Sequence, residues 1–238
     1  MYSAEIEALQ QQLQQKAEPK TKDWWEAYMK HVIPFRGVKM PVIRTELHRW
    51  YTDTGIESRL NREAQKELAL TLFQQKYAED KLAGILFLQE ILLPAEAIVW
   101  PEDVPRFAAL FTDQWIYDWN ICDWFCVKVL GPLTECEGTD CAAAIAQWHT
   151  AENLWQARAA VVAFVNLASE RQYYAMIQAS CQTLIKQDER FAKTAVGWIL
   201  RDISKYDEPW VKDFLNNHLH DFSKESVKNA TKYFDQKA

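Results

Sequence analysis

One spacing constrains this chain more than any other property: large aromatic residues recur 36 positions apart in similar surroundings. Trp119 stands 36 residues before Trp155, and Trp155 stands 36 before Phe191. The segments Ala-Glu-Asn-Leu-Trp155-Gln-Ala-Arg158-Ala-Ala-Val-Val and Asp-Glu-Arg-Phe191-Ala-Lys-Thr194-Ala-Val-Gly-Trp198-Ile align on the last two of these aromatics. A unit this short cannot bury its apolar face alone, so successive units must stack and share a core. Helical periodicity runs nearly end to end. No segment alternates apolar and polar residues between turn signals, as a half-buried strand would. With only 6 Gly, the chain also lacks the turns a β architecture needs.

The expected fold is therefore all-α: a HEAT-like helical repeat solenoid, or α-α superhelix, with a concave face that repeat proteins commonly use for binding. Helices are predicted around Leu9 and Leu13, from Lys22 (capped by Thr21) to about Ile33, and from Val42 behind Pro41 to about Tyr51. Pro41 suits a first turn because its missing N–H has no partner there. Further helices are predicted near 60–76, 80–93, 103–112, 114–130, 140–148, 151–168, 170–187, 189–205, 208–219 and 223–235. No linker divides the chain, so residues 1–238 read as a single domain. The 11 Trp are several times the usual share. Most are expected in the core, with some indoles lining a surface, since a buried indole N–H needs a partner.

The formal net charge of −6 argues mildly against nucleic-acid binding, because duplex affinity comes largely from Lys and Arg neutralising phosphates. Its distribution is uneven. Basic residues gather in Lys30, His31, Arg36, Lys39, Arg44, His48 and Arg49, and again in Lys186, Arg190, Lys193, Arg201 and Lys205. Acidic residues crowd a stretch through Glu90, Glu96, Glu102, Asp103 and Asp113. Five Cys without a Cys-x-x-Cys pair point to reduced thiols and a cytoplasmic setting. The N-terminal residues do not read as a signal peptide, and no apolar run approaches the ~20 residues of a membrane span. The His and Cys spacings, including His218-x-His220 and Cys122 with Cys126, are not those of a zinc site. Neither a P-loop nor a dinucleotide fingerprint is present.

Four separated motifs then stand in order. Trp119-Asn-Ile-Cys-Asp123 continues as Trp-Phe-Cys-Val-Lys-Val-Leu-Gly131. Leu154-Trp155-Gln-Ala-Arg158-Ala-Ala follows, then Ala195-Val-Gly197-Trp198-Ile-Leu-Arg201. Near the N-terminus lie Tyr28-Met-Lys30 and Phe35-Arg-Gly37-Val38-Lys-Met-Pro41-Val-Ile-Arg44. In order and spacing, over roughly residues 20 to 220, these resemble the AlkD-like DNA alkylation-repair glycosylases. Two positions depart from that family's usual pattern. Asn120 stands where an Asp usually follows the Trp, and Lys39-Met40 replaces a polar pair before Pro41. The resemblance implies a monofunctional DNA-alkylpurine glycosylase that removes cationic N3- or N7-alkylated purines without base flipping. It implies Asp123, Trp119, Trp198 and Arg158 as the catalytic group, and Tyr28, Lys30, Lys39, Arg44, Lys193 and Arg201 as DNA contacts. The implied partner is double-stranded DNA containing alkylated bases, met by a monomer, with no cofactor, no metal and no membrane.

The residues support this chemistry on their own terms. Trp119 and Asp123 are four positions apart and so share one helix face, with Trp115 a further turn back. Burying an ionised carboxylate without compensation costs several kcal/mol, so Asp123 should meet a cleft, a cation or a helix cap, and a mid-helix position disfavours a cap. Cleavage of a glycosidic bond develops positive charge on the sugar, which a fixed carboxylate stabilises more than the ground state. Indole faces attract cations, so Trp119 and Trp198 are expected to cradle the nucleotide. Arg158 either holds a phosphate with its planar fork or is a buried partner for Asp123. Trp198 could equally be core, and Tyr28 with its basic neighbours an ordinary solvated face. Two rivals remain at this level: a non-catalytic binder of DNA structure, and a scaffold for protein partners.

Overall fold

The computed structural model describes residues 2–234, and among them there is no strand. Its α-helices are α1 (Ser3–Gln15), α2 (Pro19–Tyr28), α3 (Met40–Asp53), α4 (Ile56–Arg59), α5 (Arg62–Phe73), α6 (Ala78–Phe87), α7 (Trp100–Thr112) and α8 (Trp119–Phe125). They continue as α9 (Gly131–Glu137), α10 (Thr139–Ala146), α11 (Leu154–Val162), α12 (Tyr174–Leu184), α13 (Arg190–Ile203), α14 (Glu208–His218) and α15 (Lys224–Ala230). Two wide π segments, Leu88–Leu92 and Cys126–Leu130, extend α6 and α8. The fold is the all-α helical repeat expected. The 36-residue period has a structural meaning: Trp119, Trp155 and Phe191 each stand in the first turn of a helix, α8, α11 and α13. No helix is long and apolar enough to cross a membrane among the described residues.

Local chemistry sets several helix starts. Pro19 and Pro41 occupy first turns of α2 and α3, where a missing N–H costs nothing. Asn61 accepts from the amide of Ala64 at the head of α5. Asn153 accepts from Trp155 and Gln156 at the head of α11, and Ser223 forms a capping box with Ser226 at α15. Two expectations shift. The second helix begins at Pro19 and ends at Tyr28, not Ile33, because Lys30 and His31 turn left-handed at φ 52° and 56°. The helix expected from 114 begins only at Trp119, since Asp118 accepts two amides there and starts it. Trp115 therefore lies outside the helix and does not extend its face. The predicted end at 235 lies outside the described residues.

The contacts gather into two compact units. The first, Met1–Val99 with Asp113–Trp124, has a core of Leu9, Leu13, Ile43, Leu47, Trp50, Phe73 and Phe87. Trp50 donates its indole N–H to the Glu5 carbonyl at 2.7 Å. The same core encloses three consecutive charged residues, Glu79, Asp80 and Lys81, each at most 1% exposed.

The second unit, Trp100–Thr112 with Phe125–Ala238, is built around Phe107, Phe111, Phe125, Phe164, Ile177, Val196 and Leu200. Asn153 also donates to the Phe111 carbonyl at 2.8 Å, joining the head of α11 to the end of α7. Helices α13 and α15 cross closely at Gly197. A Cβ there would stand 2.8 Å from the Ser226 carbonyl oxygen, closer than real Cβ atoms come.

Most tryptophans are not in the core. Only Trp50 and Trp148 are buried, Trp24 is exposed, and the other eight are partly open to solvent.

Candidate active site

In the first unit the site begins at α8. Asp118 Oδ1 accepts the amides of Asn120 at 2.9 Å and Ile121 at 3.0 Å. Trp119 is thereby the first helical residue, and Asp123 follows one turn on along the same face. Both residues are partly exposed. The ring of Tyr28 meets Trp119 edge-on at 5.6 Å, and Trp24 stacks on Tyr28 at 5.1 Å with 12° between planes. Trp24 is 58% and Tyr28 55% exposed. Behind them Trp25 stacks on Phe35 at 5.5 Å. Trp25, Phe35, Val38, Leu82, Asn120 and Trp124 line a small apolar cleft of about 60 Å³.

The buried Glu79–Asp80–Lys81 segment holds the loops that carry these residues. Glu79 accepts three backbone amides, from Arg36, Gly37 and Val38, at 2.8 to 3.0 Å. Gly37 has φ +96°, and a Cβ there would come within 2.4 Å of the Glu18 carbonyl oxygen, so only glycine fits. Asp80 receives the Arg36 guanidinium through both its oxygens. Burial nevertheless raises its carboxyl above the usual range, with Arg36 opposing. Lys81 donates to the carbonyls of Phe73 and Trp115, fixing the loop that leads into α8. Burial lowers this ammonium to about 8, with Asp118 and Asp80 opposing. Burial likewise raises Asp118 to about 6. The two amides and Lys81 act against that rise, while Asp123 adds to it.

Sequence reasoning missed Asp118 and the 79–81 segment. A charged tripeptide at a predicted helix start reads as solvated surface, and only the amide-rich loop around Gly37 hinted at an acceptor. It missed Trp24 as well, although the Trp24-x-x-x-Tyr28 spacing was available.

In the second unit, Arg158 is 4% exposed. Its Nη1 donates to the Phe191 carbonyl at 2.6 Å and to Thr194 Oγ1 at 3.3 Å. That joins the first turns of two repeats, since Trp155 also packs on Phe191 at 5.1 Å. Trp198 is partly exposed, with the Arg201 guanidinium 5.8 Å from its ring centre.

The proposed phosphate contacts differ in how committed they are. Lys39 pairs with Glu18 at 2.8 Å, Arg44 with Glu90 at 2.6 Å, and Arg201 with Asp202 at 3.0 Å. Lys193 donates to the Asp221 carbonyl. Lys30 is exposed and has no ion pair among the described residues, and the same holds for Lys20 and Lys22. No group of three or more His, Cys, Asp or Glu is placed to hold a metal ion among the described residues.

The fold and the site together define an all-α helical repeat protein that presents a carboxylate and an indole on one helix face. The DNA alkylation repair enzyme family matches residues 9–234, and the chain belongs to that family. A solved structure described as a predicted DNA alkylation repair enzyme from Enterococcus faecalis superposes with a TM-score of 0.79. It shares 21% identity, and the match covers 94% of this chain and 98% of the other. At that identity the likeness concerns the fold. No curated protein matches the sequence.

Proposed function

We propose that this family member is a monofunctional DNA glycosylase, acting on cationic N3- or N7-alkylated purines in duplex DNA by hydrolysis, without base flipping. The observation that carries the reading is the pairing of Trp119 and Asp123 on one half-open face of α8, beside the solvent-exposed rings of Tyr28 and Trp24.

Alkylation at N3 or N7 leaves the purine positively charged. As its bond to the sugar anomeric carbon breaks, the bonding electrons pass to the base and neutralise it. The deoxyribose takes up positive charge and is attacked by water, whose proton leaves to Asp123 or solvent. Asp123 stabilises the cationic sugar more than the neutral one, which lowers the barrier. Trp119 offers its ring face to the same charge. In the second unit, Arg158 holds the first turn of α13, and the partly open ring of Trp198 stands on the same helix. Tyr28, Lys30, Lys39, Arg44, Lys193 and Arg201 contact the DNA backbone. A reaction driven by the lability of a cationic leaving group needs no enclosing base pocket.

The test is release of base from duplex DNA carrying one N7-methylguanine. Asp123→Asn is expected to lower the rate at least tens of fold, within the range typical of lost electrostatic groups, while leaving duplex affinity near that of the parent. Equal rates for the two proteins would remove Asp123 from the reaction. Binding without any release by the parent would leave a non-catalytic DNA binder.

A further inference from the structure

We propose that Asp118 is the positioning residue of the Trp119–Asp123 face, and that its negative charge, held behind that face near Lys81, favours the cationic transition state. The proposal deepens the glycosylase reading and rests on it.

The geometry comes first. Asp118 Oδ1 takes the amides of Asn120 and Ile121, and so fixes the turn in which Trp119 stands and from which Asp123 follows. Capping alone does not call for a carboxylate, since Asn or Ser caps a helix as well as Asp. The second oxygen is the informative one. Asp118 is 1% exposed, and its Oδ2 accepts no hydrogen bond among the described residues. An ionised oxygen left buried and unsatisfied destabilises a fold, and a neutral cap would avoid that cost.

The nearest cation does not cancel the charge by contact. Lys81 directs its ammonium to the carbonyls of Phe73 and Trp115, with the Trp115 and Tyr117 ring centres 5.9 and 5.4 Å away. It forms no ion pair with Asp118 among the described residues. The groups that face Asp118 electrostatically are Lys81 and, on its own segment, Tyr117 and Asp123, with Asp80 acting on Lys81. Burial moves Asp118 and Lys81 towards their neutral forms. Apolar replacements of such buried charges are often stabilising. Charges kept where the fold resists them are a mark of functional sites. Here the retained negative charge lies at the head of the helix that carries Asp123, close enough in sequence for each carboxylate to oppose the other's ionisation.

The experiment compares the parent, Asp118→Asn and Asp118→Ala in single-turnover base release from N7-methylguanine DNA between pH 5 and 8, with duplex affinity measured alongside. Asp118→Asn keeps a capping oxygen and removes the charge. Its rate is expected to fall about tenfold at pH 7.5 at unchanged affinity, and to lack the rise near pH 6 expected of the parent. Asp118→Ala, which also loses the cap, should fall further. An Asp118→Asn profile that overlies the parent at every pH overturns the proposal, as does a loss confined to affinity. Absence of release by the parent would defeat the glycosylase reading instead. Asp118 is then judged from the protein alone, by the pH dependence of the fluorescence removed by Trp119→Phe. An inflection near pH 6 in the parent background, absent in the Asp118→Asn background, supports its coupling to the Trp119 turn; the same inflection in both overturns it.

Discussion

Asp118 also makes a thermodynamic prediction that needs no substrate. Burial raises its carboxyl from 3.8 to about 6, so between those limits the native state holds a proton that the unfolded chain has released. Stability therefore falls as pH rises through this window, and levels off above it. Each pKa unit is worth about 1.4 kcal/mol, so the full effect is about 3 kcal/mol, a sizeable part of a typical domain's stability of roughly 5–15 kcal/mol. Asp80 is raised in the same sense, and the parent curve alone would mix the two. The difference between parent and Asp118→Asn isolates the one group, because Asn does not titrate and still supplies a capping oxygen. Lys81, lowered to about 8, titrates above the window. Urea denaturation followed by helical circular dichroism, at half-unit steps from pH 4 to 7, reads the difference directly. Asp118→Asn should gain on the parent by about 3 kcal/mol across that range. A constant difference from pH 4 to 7 would mean that Asp118 titrates like an ordinary surface carboxylate, and the account of its burial would be wrong.

Two further outcomes follow from the packing and the charges. Gly197→Ala sets a Cβ 2.8 Å from the Ser226 carbonyl oxygen and 3.0 Å from its Cα, both backbone atoms that cannot swing aside; urea unfolding should show a loss of about 1–3 kcal/mol, and an unchanged midpoint would show that α13 and α15 separate freely. Lys30→Ala should weaken duplex binding evenly across sequences and lower the slope of log K against log salt by about one, whereas Lys39→Ala, whose ammonium is shared with Glu18, should change it less; identical slopes for the parent and Lys30→Ala would remove Lys30 from the phosphate contacts.

The parts of this protein that were legible in its sequence are those governed by local rules. The helical period and the pairing of Trp119 with Asp123 depend only on spacing along one helix, the repeat only on spacing along the chain, and each is present in the structure. What escaped depends on who meets whom across long separations. Glu79 accepts amides more than forty positions away, at Gly37 and Val38, and nothing in the order Glu-Asp-Lys distinguishes a buried clamp from a solvated turn. The helix start at Trp119 was within reach, since an Asp before an apolar run is a familiar cap. The run of aromatics from Trp115 masked it by suggesting an earlier beginning. The tryptophans were misplaced for a related reason. An indole is large enough to fill a core, yet here the core is mostly Leu, Ile, Val and Phe, and most indoles stay partly in water, where a ring face remains available to a ligand.

The net acidity that first argued against DNA takes on a different meaning once the partners are visible. Arg44 and His48 share Glu90, whose carboxyl, pushed up by burial, is drawn below its usual range by those two bonds. Arg201 lies against Asp202, and Lys39 against Glu18. A phosphate arriving at such a cation must displace a carboxylate already present. The exchange gains little Coulomb energy, and exposed pairs of this kind are individually weak in either form. Lys20, Lys22 and Lys30, in the first unit on α2 and the turn that follows it, have no ion pair among the described residues and would meet phosphate without displacing an acid. In the second unit the same holds for Lys186, and Lys193 is committed only to a backbone carbonyl. On the proposed glycosylase reading, the substrate is distinguished by the charge and lability of one base, and weak general affinity would be no handicap: discrimination would arise at the step where that base departs, not in how tightly the surrounding phosphates are held.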